Sequence, residues 1–137
     1  MDKALRYFSY IVLIMAFSII LVLGYWLIYP YNPVDLYSIK IDSPVVASSV
    51  LKYKISYCKY TDLPSTSVRQ LVDGIIIFFP EIVTNNPEGC SESERFLELP
   101  TYIPSSKYHL RISVSYKVNP LRSITKTITS NEFQLIK

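Results

Sequence analysis

The sequence is short of the residues on which most protein chemistry depends. It has one His, two Cys and three Gly in 137 residues. A single His cannot complete a paired-imidazole metal site, and nothing near it in sequence nominates a nucleophilic triad. Three glycines leave no phosphate-cradling loop and no Gly-centred calcium loop. There is no Asn-x-Ser/Thr acceptor and no Gly-x-x-x-Gly helix-packing motif. Charge is missing from one place in particular: no ionisable Asp, Glu, Lys, Arg or His lies between Arg6 and Asp35, a run of 28 residues. Half of the chain is hydrophobic and 18% is charged, but that imbalance is local. The 103 residues after Val34 carry 12 basic and 10 acidic side chains, an ordinary soluble composition. A multidomain enzyme, a polytopic membrane protein, a coiled coil and a disordered tail are excluded, which leaves one membrane segment and one small domain.

From Tyr7 to Tyr29 the chain reads YFSYIVLIMAFSIILVLGYWLIY. As a helix these residues span about 34 Å, enough for a hydrocarbon core of about 30 Å. Tyr7 and Tyr10 at one end, and Tyr25, Trp26 and Tyr29 at the other, are amphipathic aromatics suited to the two headgroup regions. Lys3 and Arg6 precede the span and Asp35 follows it, so the positive-inside bias keeps the N-terminus cytoplasmic. The apolar run is too long for a cleavable signal peptide, and bulky aromatics stand where a peptidase needs small residues. The expected organisation is a cytoplasmic stretch 1–6, a transmembrane signal anchor 7–29, a stiff spacer 30–33 containing Pro30 and Pro33, and an extracytoplasmic domain 34–137.

Beyond Val34, apolar and polar residues alternate and turn residues recur at short intervals, the pattern of an antiparallel all-β domain. Tyr108, Leu110, Ile112, Val114, Tyr116 and Val118 share one face of a strand, and His109, Arg111, Ser113, Ser115 and Lys117 the other. A second strand puts Leu51, Tyr53, Ile55 and Tyr57 inward. Asp73-Gly74 suits a tight hairpin turn, with a short helix over Thr66–Val72 as the competing reading. Seven strands are expected, at 34–42, 50–60, 67–72, 75–83, 95–99, 107–118 and 122–136, arranged as a two-sheet sandwich.

Pro104-Ser105-Ser106-Lys107-Tyr108, followed by alternating Leu110, Ile112 and Val114, resembles the corner before strand F in fibronectin type III and immunoglobulin-like domains. The resemblance covers about a dozen residues and implies a structural role for Tyr108, hydrogen-bonding back to upstream backbone near Pro104. The core Trp of those families has no counterpart, since Trp26 lies in the anchor. RQLVDG, PEGC and YKVNPLR also resemble segments of phage-encoded or bacterial single-pass membrane proteins, a likeness that implies a source and no activity. The fold expected is therefore all-β, a seven-stranded antiparallel immunoglobulin-like sandwich behind one transmembrane helix.

Cys58 and Cys90 form an even pair in a domain expected to be exported, which predicts a disulfide rather than two free thiols or a metal site. If strand directions alternate, Cys58 near a strand end and Cys90 in a loop over 84–94 lie at the same end of the sandwich. Glu88, Glu92, Glu94 and Glu98 around Cys90 read as a solvated acidic loop more readily than as a weak cation site. The same parity gathers the loop holding Asp62, the loop holding Glu88 and the turn holding Asn119 at the membrane-proximal end, as candidate binding loops.

A net charge of +2 on the exported part is too small to point to nucleic acid, although Lys52, Lys54, Arg111 and Lys117 are candidates for one basic face. His109 reads as an outward bystander. No catalytic residue, cofactor or metal ligand is nominated. The expected function is a non-catalytic binding or assembly module tethered to the lipid bilayer through residues 7–29, with a membrane or envelope protein as partner. A pilin-like subunit and an envelope-acting enzyme are the rivals; the first lacks a processing site with its acidic residue, and the second lacks a visible catalytic constellation.

Overall fold

A computed structural model describes residues 2–47 and 49–137, and they divide into two compact units. The first contains the helix α1 (Asp2–Ile28) together with Asn119–Arg122. The helix is apolar and long enough to cross a membrane over Lys3–Ile28, and none of its most apolar window is buried by protein. It extends the expected 7–29 span toward the N-terminus and stops one residue short of Tyr29, whose N–H still donates to the Tyr25 carbonyl. Pro30 cannot continue the ladder. Within this unit the Asn119 side-chain amide donates to the Trp26 carbonyl at 2.8 Å and Arg122 donates to the Tyr29 carbonyl at 2.6 Å. These contacts occupy carbonyls that a helix C-terminus leaves without intrahelical partners.

The second unit, Asn32–Val118 with Ser123–Lys137, is built from β-strands. One sheet has the order β1 (Val34–Ile41), β3 (Val50–Lys59), β7 (Gly89–Glu98), all antiparallel. The other has the path β2 (Val45–Val46), β10 (Phe133–Ile136), β8 (Lys107–Asn119), β4 (Ser65–Asp73), β5 (Ile75–Phe78), with β6 (Ile82–Thr84) on β4 and β9 (Arg122–Thr129) on β8. Inward side chains of both sheets, among them Leu51, Tyr53, Leu71, Leu97, Tyr108, Leu110 and Phe133, form one buried core. Phase explains the choice: from Leu51 to Tyr57 in β3 and from Tyr108 to Tyr116 in β8 every second residue is apolar, and those are the buried ones.

Among the described residues ten strands replace the seven expected, and the reasons are local. Residues 75–83 are two strands because Pro80 has no N–H to give to a ladder. β5 pairs with Gln70–Asp73 and β6 with Ser65–Ser67, leaving Val68 and Arg69 opposite the break. Residues 122–136 are also two strands. Between them Ser130 trades hydrogen bonds with the Leu110 backbone, and the Asn131 side-chain amide both accepts from and donates to the Ile41 backbone. Side chains that serve the backbone in this way interrupt a regular ladder. β2 is only two residues long and pairs in parallel with β10, so the sheets are mixed rather than wholly antiparallel.

The largest difference is β7. Cys90 is not in a loop: it lies in a strand that begins at Gly89 and pairs in register with β3, Cys58 facing Cys90 directly. Polar residues from Ser91 to Glu94 hide this strand from any hydrophobic pattern, and its ladder to β3 holds it instead. The disulfide is present. The two cysteines meet as cross-strand neighbours, not as a strand end and a loop brought together at one end of a sandwich. Asp73-Gly74 does turn a hairpin between β4 and β5, with Gly74 at a φ of 62° where a side chain is disfavoured.

Candidate interior cation cleft

Between the sheets, at the end where β1 begins and β3 finishes, the core stops being apolar. The inward phase of β3 runs Leu51, Tyr53, Ile55, Tyr57 and then Lys59, which is only 2% exposed. Its ammonium donates to the Asn85 side chain at 3.2 Å and to the Asn86 carbonyl at 2.6 Å, and sits 6.0 Å from the centre of the Tyr116 ring. On β4 the inward phase is Ser65, Ser67, Arg69, Leu71, which buries Arg69 to 9% exposure. On β7 it is Arg95, Leu97, with half-buried Arg95 directly opposite Tyr53.

Asn86 links two of these cations: its side-chain oxygen accepts from Arg95 at 2.8 Å while its carbonyl takes Lys59. Arg69 is less well served. One terminal nitrogen donates to the Pro80 carbonyl at 3.3 Å, and its Nε is buried without any hydrogen-bond partner. Arg69 also reaches the Tyr53 hydroxyl; burial pushes the Tyr53 phenol up, and the nearby Arg69 charge and hydrogen bond oppose that rise. Tyr116 is likewise pushed up by burial, against a hydrogen bond with Ser65.

Arg69, Arg95 and Tyr53 line a cleft whose cavity volume is about 60 Å³, with Val34, Ile55, Ile112 and Val114 among its apolar walls and no acidic residue in its lining. Among the described residues the ion pairs are Lys52–Glu94 and Lys107–Glu132, so none of the three inward cations is neutralised by a carboxylate. A guanidinium cannot shed its proton to escape burial. Taking one from water without a counter-charge costs several kcal/mol, so Arg69 is held in place at the expense of stability.

The residues nominated from sequence lie elsewhere. Cys58 and Cys90 bond as described. The Tyr108 hydroxyl donates to the Pro104 carbonyl at 3.1 Å. Asp62 and Glu88 are exposed, and no hydrogen bond or ion pair joins them; Asn119 groups with the helix. Tyr7, Tyr10, Tyr25, Trp26 and Tyr29 are exposed along or beside α1, and Lys3 and Arg6 lie near its start. Lys52 and Lys54 belong to one sheet and Arg111 and Lys117 to the other, so the four do not share one sheet face. The acidic side chains Glu92, Glu94 and Glu98 stand along the exposed side of β7, Glu94 paired with Lys52 at 2.8 Å. His109 is half-buried with Nδ1 at 3.2 Å from the Ser130 carbonyl. Among the described residues no group of three or more His, Cys, Asp and Glu is placed to hold a metal.

Sequence reasoning missed Lys59, Arg69 and Arg95, yet each continues an apolar alternation by one step of two. Extending the phase past the last apolar residue would have found all three. Comparison with protein-family models and with curated proteins finds no match to this chain.

Proposed function

We propose that this chain is a single-pass membrane protein, N-terminus in the cytoplasm, that displays an immunoglobulin-like β unit outside it as a non-catalytic binding or assembly module for a membrane or envelope protein. The observation that carries this reading is the pairing of an apolar helix unburied by its own protein with a disulfide-bonded β unit. An unburied helix of this length needs lipid around it, and a disulfide fits an oxidising compartment. Lys3 and Arg6 before the helix, against Asp35 after it, favour the same direction. The Tyr108–Pro104 hydrogen bond supports the immunoglobulin-like corner.

Protease protection in intact cells tests the topology. A tag after Lys137 is expected to be digested from outside and one before Met1 to be protected, and the opposite pattern overturns the reading. Gentle solubilisation and pull-down of the tagged full-length chain then tests the module: a membrane protein is retained in stoichiometric amount. Recovery of the chain alone, from membranes cross-linked beforehand, counts against it.

A further inference from the structure

The cleft between the sheets contains an arrangement that a core built only for stability avoids. Arg69 is buried to 9% exposure with its Nε unpartnered, Arg95 lies half-buried beside the same space, and the lining holds no carboxylate. Fixed guanidinium donors around a small opening make a receptor for an anion, and the planar fork of Arg matches a carboxylate in two parallel hydrogen bonds. The walls narrow the choice. Ile55, Ile112 and Val114 are apolar and suit a hydrocarbon tail, which inorganic phosphate or sulfate lacks, while Tyr53, Ser65, Ser67 and Thr84 add hydroxyls to the same lining. A cavity of about 60 Å³ holds the equivalent of about four to six waters, room for a carboxylate and a short chain.

We propose that this cleft binds an aliphatic carboxylate, its oxygens on the guanidinium groups of Arg69 and Arg95 and its tail between Ile55, Ile112 and Val114. The ligand supplies the counter-charge that the fold withholds from Arg69. A free short-chain acid and the terminal carboxylate of a peptide share this chemistry. The assignment rests on the binding-module reading and names what the module grips.

The test uses the full chain in lipid nanodiscs, following the Arg side-chain Nε–H resonances during titration. Butyrate and N-acetylvaline are the probes, with butyramide and inorganic phosphate as comparisons. One or both acids are expected to shift the Arg69 resonance saturably, butyramide not at all, and phosphate more weakly. Tighter binding of butyrate assigns a free acid, and tighter binding of N-acetylvaline a peptide terminus. Arg69→Met, followed through Arg95, weakens binding at least about tenfold, and Arg95→Gln weakens it while leaving the fold intact. Equal shifts with butyramide, tighter binding of phosphate, or acid binding unchanged in Arg95→Gln overturns the proposal. If neither acid binds while the full-length chain still retains a membrane partner, the cleft assignment falls and the module reading stands.

Discussion

Along the β4–β8 ladder, Leu71 faces Leu110 near one end and Ser65 faces Tyr116 near the other, and the core changes character between them. The same change runs along β3 and β7, from Leu51 opposite Leu97 to Tyr53 opposite Arg95 and on to Lys59. At the first end Leu51, Leu71, Ile103, Leu110 and Leu135 are fully buried, and Phe133 and Tyr108 are buried with them. At the second end the buried positions hold Lys59 and Arg69, three tyrosines (Tyr53, Tyr57 and Tyr116) and Ser65, with Arg95 and Ser67 half-buried beside them. The contrast separates two uses of burial. Apolar contacts at the dry end gain stability from each area removed from water, whereas the polar end gives up part of that gain to hold charge in a fixed direction.

If that division is right, substitutions at the two ends have opposite signs. Leu110→Ala at the dry end is expected to cost about 2–5 kcal/mol in denaturant unfolding, since it removes fully buried methyl groups and leaves a cavity. Reducing the Cys58–Cys90 bond, which closes a separation of 32 residues, is expected to cost about 3–4 kcal/mol by the same measurement under reducing conditions. Arg69→Met at the polar end replaces an uncompensated buried charge with an apolar chain of similar length. It is expected to raise stability by about 1 kcal/mol or more. A loss of about 2 kcal/mol or more in that variant breaks the comparison. Tyr108→Phe removes only the hydrogen bond to Pro104, so its expected cost is about 1 kcal/mol.

The dry end was legible because its residues are also the clearest signal in the sequence. Alternation in Leu51–Tyr57 and Tyr108–Val118 gives strand, face and core together, and Asp73-Gly74 places a turn. The polar end was hidden by the same rule. A Lys, an Arg or a Ser at an inward position is indistinguishable by type from an outward one, and only its phase relative to Tyr57, Leu71 or Leu97 gives it away. β7 was hidden for a different reason. Its first half has no apolar face at all, and the information that makes it a strand lies in β3, which offers the backbone groups it pairs with. The cysteine pair therefore bonded as expected by a route that sequence order did not reveal. Pro80, Ser130 and Asn131 each interrupt a strand by local chemistry that was readable in principle, the first by a missing donor and the others by side chains that compete for backbone partners.

The smallest effect sharpens the comparison at its polar margin. Tyr60, next to Lys59 but exposed, donates to Asp35 Oδ2 at 3.1 Å, and Asn32 donates to Asp35 Oδ1 at 2.9 Å. Hydrogen bonding to Tyr37 first and to Asp35 second pushes the Tyr60 phenol up from 10.0 to about 12. Its folded state thus favours the neutral phenol. The contact's contribution is complete below about pH 10 and disappears as pH rises toward about 12. Asp35 has the opposite sign: hydrogen bonds from Asn32 and then Tyr60 hold its carboxyl below 3.8, so its contribution is present above that pH and is lost on acidification through the folded value. Both groups are in water, where such contacts are weak and screened by salt. Tyr53, Tyr108 and Tyr116 are also pushed up by burial, so alkali destabilises the unit at both ends. Comparing the full chain with Tyr60→Phe removes that shared background. The difference in melting temperature between the two is expected to be constant from neutral pH to about pH 10 and to vanish by about pH 12. A difference that persists beyond that pH shows that the Tyr60 hydroxyl acts through something other than the neutral donor at this exposed margin.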